Sequence, residues 1–484
     1  MPVVSTSHGP VEGFWRDGSA AFLGVPFAAP PVGELRFAAP APPTPWTAVR
    51  PATAYGPTPQ RRPFGETTAI PEPSIPGEQT LNVNVFTPAP GRDAALPVLV
   101  WIHGGGYFAG SPASPWYDGA AFNRDGVVTV TISYRLGFDG FGLIDGAPHN
   151  RGILDQIAAL EWVRDNIAAF GGDPRCVTIA GQSAGGGSVL TLLASPAADG
   201  LFHAAISASG VLTTRTADDA RRITAQVAAA AGTGDWRSLS EDELLDAERA
   251  VFFAPAPPAA SIGEVLTAGL EPPIGPYIDG EVVDDLFERL GRGIHHDTPL
   301  MLGTTANEFA FAPSPDAPPR EEVDAALAAA GASERARTAF WHEIDRIGDG
   351  RIEGQLHSTG GFRTAVPRIA AARIEAGSGE RTWAYDFRHH APSIGIAGHC
   401  FELPFAWDLG DAEGVQALLG EPAPQQLADD VHGSWVRFIS SGSVSWPSSS
   451  EEVTGAQVFD LPESGYAADA YLLEAEVSGA AARV

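Results

Sequence analysis

Val177-Thr-Ile-Ala-Gly-Gln-Ser-Ala-Gly-Gly186 is the stretch on which the fold of this chain turns. Val177 to Ala180 reads as a buried β-strand, and Ser188 to Ala194 beyond it is an apolar, helix-compatible run. Between them lies Gly181-Gln-Ser-Ala-Gly185, a Gly-x-Ser-x-Gly turn. Its glycines stand where a Cβ would clash, and its serine hydroxyl is exposed at a sharp strand-to-helix reversal. In a chain with 55 glycines such a pentapeptide arises by chance about 0.4 times, so its surroundings must supply the specificity. They do so about 80 residues upstream, where the strand-like run Val98 to Ile102 leads directly into His103-Gly-Gly-Gly106. Backbone N–H groups of such a run can approach a tetrahedral oxyanion closely. A glycine-rich β–α turn without chemistry accounts for either motif alone, but poorly for both in this order.

Outward from these motifs, short β-rich runs alternate with helical patterns. Pro97 to Ile102, Val127 to Ser133, Val177 to Ala180, Ala204 to Ser207, Leu300 to Leu302 and Trp383 to Phe387 read as strands. Ile153, Ile157, Leu160, Val163 and Ile167, spaced 4, 3, 3 and 4, predict a helix stopped by Gly171-Gly172. The alternation implies an α/β fold: a mostly parallel sheet with helices on both faces. Two Ala-rich stretches, about 213–268 and 313–376, read as helical insertions that shape a pocket above the sheet, and residues 1–484 as one catalytic domain. No internal repeat is visible, and the Ser-rich tract from Ser440 to Ser450 reads as a surface connection.

Composition removes several classes. A 44% hydrophobic, 18% charged chain of 484 residues is that of a folding globular protein. The net charge of −29 argues against nucleic acid and against an anionic membrane surface as partners, since both present phosphate. All 30 basic residues are arginine, so neither a Schiff-base lysine nor a P-loop lysine is available. The start of the sequence carries no basic, apolar leader, no apolar run is long enough to span a bilayer, and only Cys176 and Cys400 are present; a cytoplasmic protein is expected. The histidine pairs His295-His296 and His389-His390 lack further ligands at metal spacing, so neither metal nor other cofactor is expected.

From about Gly9 to about Trp446 the chain resembles the type-B carboxylesterases and cholinesterases, α/β-hydrolase enzymes. The resemblance rests on Phe22-Leu-Gly-Val-Pro-Phe-Ala-Ala-Pro-Pro-Val-Gly-Glu-Leu-Arg-Phe37, on Trp46 and Tyr55-Gly-Pro57, and on two longer blocks. These are Asn150-Arg-Gly-Ile-Leu-Asp-Gln-Ile-Ala-Ala-Leu-Glu-Trp-Val-Arg-Asp-Asn-Ile-Ala-Ala-Phe-Gly-Gly-Asp-Pro174 and the opening stretch from Val177 to Gly186. It implies a monomeric or homodimeric serine hydrolase acting on small to medium neutral carboxylic esters. Ser183 would be the nucleophile, and the family's chain order of nucleophile, acid and histidine points to Glu308 in Leu302-Gly-Thr-Thr-Ala-Asn-Glu308 and His399 in Gly398-His-Cys-Phe-Glu-Leu-Pro-Phe405. The oxyanion would be held by N–H groups of Gly105, Gly106 and Ala184, with His103 supporting the glycine run. Tyr107, Phe108, Phe309, Phe311 and Phe401 are candidate pocket residues, and Glu402 reads as structural.

The sequence also departs from that family. Thr80 stands where a cysteine is often found, and its partner between Pro57 and Gln60 is missing, so that disulfide cannot form. Cys176 begins the strand leading to Ser183 and Cys400 adjoins His399 at its far end, about 15 Å apart by strand length against a disulfide limit of about 7 Å, so both are expected as thiols. Phe309 follows the acid where the family usually has glycine, and Gln182 precedes the nucleophile where many relatives have Glu. No Trp occurs from Phe64 to Pro76, where cholinesterases carry one to hold a quaternary ammonium, which disfavours choline esters. A carbamate or amide hydrolase with the same triad is the enzymatic alternative, and a non-catalytic cholinesterase-like binding domain the alternative from another class.

Overall fold

Among the residues that the computed structural model describes (1–65, 68–91, 93–254, 261–450 and 452–482), the chain divides into two units. The first is Met1–Ala205 with Thr213–Ala256 and Glu271–Leu286, and the second is Ile206–Leu212 with Pro257–Leu270 and Phe287–Val484. The main sheet of the first unit contains β1 (Phe14–Arg16), β2 (Ser19–Pro26), β3 (Asn82–Thr87), β4 (Leu96–Ile102), β5 (Val128–Ile132) and β6 (Gly172–Gln182), in the spatial order β6–β4–β5–β3–β2–β1. β4 runs parallel to both β5 and β6, placing Trp101 beside Thr131 on one side and Ala180 on the other. β3, β2 and β1 add antiparallel strands at one edge. Val98 to Ile102 and all of β5 are buried, as strands covered on both faces must be; Val98 to Ile102 accordingly reads as a continuous apolar run, while β5 buries Thr129 and Thr131 between its Val and Ile residues.

The helices that cover β6 follow from the patterns around it. α1 (Arg151–Asn166) buries Ile153, Ile157, Leu160 and Val163, and ends ahead of Gly171, whose φ of 88° no β-branched residue would adopt readily. α2 (Ala184–Leu193) is buried along its whole length. Both pack on β6, so the Gly-x-Ser-x-Gly turn joins that strand directly to a buried helix. The 213–268 stretch supplies α3 (Ala217–Ala231) and α4 (Glu241–Phe252), each opened by a capping box, Thr216 with Asp219 and Ser240 with Glu243. Positions 255–260 of that stretch lie outside the described residues.

In the second unit, β7 (Ala204–Ala208, whose last three residues belong here), β8 (Leu300–Thr305), β9 (Thr382–Phe387), β10 (Ala456–Phe459) and β11 (Gly465–Ala467) lie side by side in that order. β8, β9 and β10 are parallel, and β11 turns back antiparallel. Each of the six strands read from sequence is therefore present, with ends moved by one to several residues. Helices α5 (Ile262–Ala268), α6 (Arg320–Ala329), α7 (Glu334–Ile347) and α8 (Ile352–Ser358) precede a π-helical turn, Thr359–Arg363, and then α9 (Ala365–Glu375). α9 packs on β8 and β9, so this end of the 313–376 stretch belongs to the layer covering the sheet, and its Ala370 and Ala371 are buried in a cluster with Val453, Ala475 and Ala480. The π turn is pinned by Arg363, which is buried and paired with Asp386 at 2.7 Å and Glu474 at 2.6 Å. Ser440 and Ser441 lie in the last turn of α10 (Gln425–Ser441), so the Ser-rich connection starts after them.

Candidate active site

In the first unit the chain leaves β6 and reverses at Ser183, whose φ of 59° and ψ of −124° are strained for a residue with a side chain. The flanking glycines are steric necessities. A Cβ on Gly181 would lie 2.4 Å from the Gly185 carbonyl, and one on Gly185 would lie 2.0 Å from Ile102 O at the end of β4. The same strand end leads into the glycine run, where a Cβ on Gly104 would meet Gln182 O at 2.7 Å and Ser183 Cβ at 3.1 Å. Gly105 and Gly106 take φ values of 113° and 61°, and Gly105 O accepts from Ala109 N–H at 2.9 Å. Serine and glycine run are thus fixed against each other by backbone packing.

His103 holds the run from below. Its Nδ1–H donates to Gly104 O at 2.8 Å, its ring stacks on Tyr134 at 4.7 Å, and the Tyr134 hydroxyl donates to His103 O at 2.9 Å. Burial lowers the imidazole to about 4, so it is neutral at ordinary pH. Tyr107 is buried, with φ 67° and its ring edge-on to Phe141 at 5.1 Å. Phe108 stacks on Phe64 at 5.0 Å and meets Phe252 and Phe253 at 5.8 and 5.7 Å.

In the second unit the structure brings Glu308 and His399 together. Glu308 follows β8 and is wholly buried. Its Oε1 accepts from Ser209 Oγ at 2.6 Å and from Thr305 N–H at 2.9 Å, and its Oε2 accepts from His399 Nδ1. A carboxylate held on one oxygen and bonded to imidazole through the other fixes the ring's tautomer and orientation, leaving Nε2 as the basic nitrogen. Phe309 has no positive φ, so glycine is not required after Glu308; its N–H donates to Ser358 Oγ at 2.9 Å. Its ring stands edge-on to His399 at 5.5 Å, and Phe362, delivered by the π turn, lies 4.8 Å from the same imidazole. Phe311 and Phe401 pair at 6.0 Å, the first partly exposed and the second buried. Glu402 is buried without accepting a hydrogen bond from another side chain; burial first, and then repulsion from Glu308, push its carboxyl up to about 8.

Ser209, Asn307 and Phe362 were not singled out by sequence reading. Ser209 and Asn307 sit just past the ends of β7 and β8 where no motif marks them, and Phe362 reaches His399 only because a π turn re-aims it. Among the described residues no group of three or more His, Cys, Asp or Glu side chains is arranged to hold a metal ion. Cys176 and Cys400 carry thiols, and His296 and His390 are each beside a carboxylate, Asp297 and Glu343, at 3.0 Å.

Comparison with known proteins gives one consistent result. The sequence profile of a family described as "Carboxylesterase family" matches residues 1–458. The chain is 34% identical over 479 residues to the para-nitrobenzyl esterase of Bacillus subtilis (strain 168), covering 95% of this chain and 94% of that one. It is 33% identical to the medium-chain fatty acyl-CoA hydrolase precursor of Anas platyrhynchos, over 92% and 86% of the two chains. Among solved structures, a PNB esterase superposes with a TM-score of 0.80 at 32% identity, covering 98% of this chain and 99% of the other. A carboxylesterase of Geobacillus stearothermophilus does so with a TM-score of 0.80 at 30% identity over the same shares.

Proposed function

Because the chain belongs to the carboxylesterase family and is a serine carboxylesterase of the α/β-hydrolase fold, we propose that Ser183 is its nucleophile, His399 its base and Glu308 its acid, and that its substrates are small to medium neutral esters. The observation that carries the proposal is the buried Glu308 carboxylate, anchored by Ser209 and Thr305 and bonded to Nδ1 of His399. His399 Nε2 takes the Ser183 proton, and the alkoxide attacks the ester carbonyl. N–H groups of Gly105, Gly106 and Ala184 hold the oxyanion, each such donor being worth about 10² to 10³ in rate. His399 then protonates the leaving alcohol, and water, deprotonated by the same imidazole, releases the acid from the acyl-enzyme. Glu308 orients the ring and stabilises the imidazolium in both halves.

A single catalytic domain is supported by the family profile, which runs through both units. Neutral substrates are supported by Gln182 in place of a carboxylate and by the missing Trp. A reducing, cytoplasmic location is supported by the two thiols; among the described residues no helix is long and apolar enough to cross a membrane.

The test is p-nitrophenyl butyrate hydrolysis by the protein and by Ser183→Ala, followed through burst and steady state. The variant is expected to lose the burst and on the order of 10⁶ in kcat, as loss of a triad nucleophile does. Equal rates for the two proteins would remove the triad reading. A matched panel of ester, carbamate and anilide substrates then ranks leaving groups, with the ester expected first.

A further inference from the structure

Asn307 immediately precedes Glu308 and is wholly buried. Its backbone N–H donates to Ala397 O at 2.9 Å, while its side-chain Oδ1 accepts from Ala397 N–H at 2.9 Å. One residue therefore clasps both ends of a residue lying two positions before His399. The join is completed by His399 N–H, which donates to Glu308 O at 3.1 Å.

The other edge of the Asn307 amide is anchored in the opposite direction. Nδ2 donates to Glu343 Oε1 at 2.9 Å and to Gln355 Oε1 at 3.0 Å. Both acceptors are themselves fixed. Gln355 Nε2 donates to Ala306 O at 2.9 Å, and Glu343 receives His390 Nε2 on Oε1 and Arg346 Nη1 on Oε2, each at 3.0 Å. Burial alone would raise the Glu343 carboxyl, but hydrogen bonds from His390 and Asn307, with the Arg346 charge, outweigh it and hold it at about 2. The acceptor for Asn307 is thus a carboxylate at any working pH, and both of the amide's N–H donors are used.

Ser209 and Thr305 fix the carboxylate of Glu308, but they say nothing about where the histidine loop stands. We propose that Asn307 is a positioning residue of the esterase: it holds the loop carrying His399 in register with the loop carrying Glu308, so that carboxylate and imidazole meet at one distance throughout the acylation and deacylation cycle. The proposal rests on Glu308 and His399 being acid and base. Misplacement of a catalytic group by about 1 Å can cost about 10²-fold in rate, and that sets the size of the effect.

The experiment is steady-state hydrolysis of p-nitrophenyl butyrate, with active sites titrated from the burst and folding checked by thermal unfolding. Asn307→Ala is expected to lower kcat by about tenfold to hundredfold with KM within about twofold of its original value. Placed on His399→Ala, which keeps the residual catalysis of the oxyanion hole, the same substitution is expected to cost less than about twofold, because no base remains to be misplaced. An equal factor in both backgrounds overturns the inference, as does an unchanged kcat in Asn307→Ala alone.

Asn307→Asp keeps the acceptor for Ala397 but sets a second carboxylate against Glu343, and an acceptor against Gln355 Oε1 that a flip of the Gln355 amide relieves. Combining it with Glu343→Gln exchanges donor and acceptor across the same contact, and should recover about tenfold or more of the kcat lost in the single variant. If Asn307→Ala does not fold, this exchange decides: recovery sustains the inference and its absence overturns it. His399→Ala alone separates the two layers of the argument. Wild-type activity in that variant would mean that the triad reading has failed, whereas its inactivity beside a fully active Asn307→Ala would sink only the positioning role.

Discussion

At Gly185 a sequence motif becomes a distance. The Cβ of an alanine there would sit 2.0 Å from Ile102 O, and it would meet backbone rather than a flexible side chain, between two buried elements, so neither side can yield cheaply. Gly185→Ala is expected to destabilise the protein by about 1 to 3 kcal/mol or more and to displace Ser183, lowering Tm and kcat together. An unchanged Tm would mean that the turn can relax. Single groups also set how stability responds to pH, and two of them act with opposite sign. His103, lowered from 6.5 to about 4, is favoured neutral by the fold, so its contribution is complete above about 6.5 and is lost as pH falls toward 4. Glu402, raised from 4.5 to about 8, is favoured protonated, so its contribution is complete below about 4.5 and is lost as pH rises through 8. Glu402→Gln should therefore leave Tm nearly unchanged at pH 5 and raise it at pH 9, by a free energy on the order of a few kcal/mol. A Tm difference independent of pH would contradict this assignment. What could be read at this scale was whatever the backbone demands: the glycines around Ser183 and in the run from Gly104 to Gly106 announce themselves because nothing else fits. Ser209 and Asn307 act through ordinary side-chain hydrogen bonds in unpatterned segments, and no spacing rule singles them out.

Among elements, the parallel strands β4, β5, β6, β8 and β9 were legible because each carries a short segment rich in β-branched, aromatic or other apolar residues, as burial on both faces favours. β3 was not, although all six of its residues are buried, because Asn82 and Asn84 are of a type depleted in strands, unlike the β-branched Thr129 and Thr131 of β5. The structure shows what those polar groups are for. Asn84 Oδ1 accepts from Gly24 N–H at 2.9 Å, at the register shift between Phe22 and Val25 on β2, and its Nδ2 donates to Thr131 Oγ1 on β5 at 2.9 Å. It supplies a partner to an N–H that the bulge takes out of the ladder. Asn84→Val improves strand propensity and apolar burial, yet leaves the Gly24 N–H without its acceptor, and is expected to cost about 1 to 3 kcal/mol in urea unfolding. A gain in stability would show that the bulge reaches water instead. The π turn at Thr359–Arg363 escaped for a related reason: its geometry is imposed by the buried Arg363 pairing with Asp386 and Glu474, residues distant in sequence.

Over the whole molecule the deciding quantity is charge. With 59 acidic and 30 basic side chains the excess of −29 cannot be neutralised within the chain, and the surplus repels itself over distances of tens of ångströms. Against that stand surface ion pairs such as Arg62 with Asp246 at 2.5 Å, Arg320 with Asp345 at 2.7 Å and Arg221 with Asp218 at 2.6 Å, all with substantial solvent exposure. Each is worth about 0 to 1 kcal/mol. Salt separates the two contributions by range. The Debye length falls from about 30 Å at 0.01 M to about 8 Å at 0.15 M, which removes repulsion between distant charges while leaving pairs in contact well inside the screening distance. Tm is therefore expected to rise by a few degrees between 0.01 and 0.15 M sodium chloride and then to level off. A fall over the same range would mean that the ion pairs outweigh the net charge. Hydrolysis offers the internal control: a neutral ester is not steered by the field of the protein, so kcat/KM for p-nitrophenyl butyrate should stay flat while Tm moves, and a parallel change in both would show that salt acts on the active site rather than on the charge of the fold.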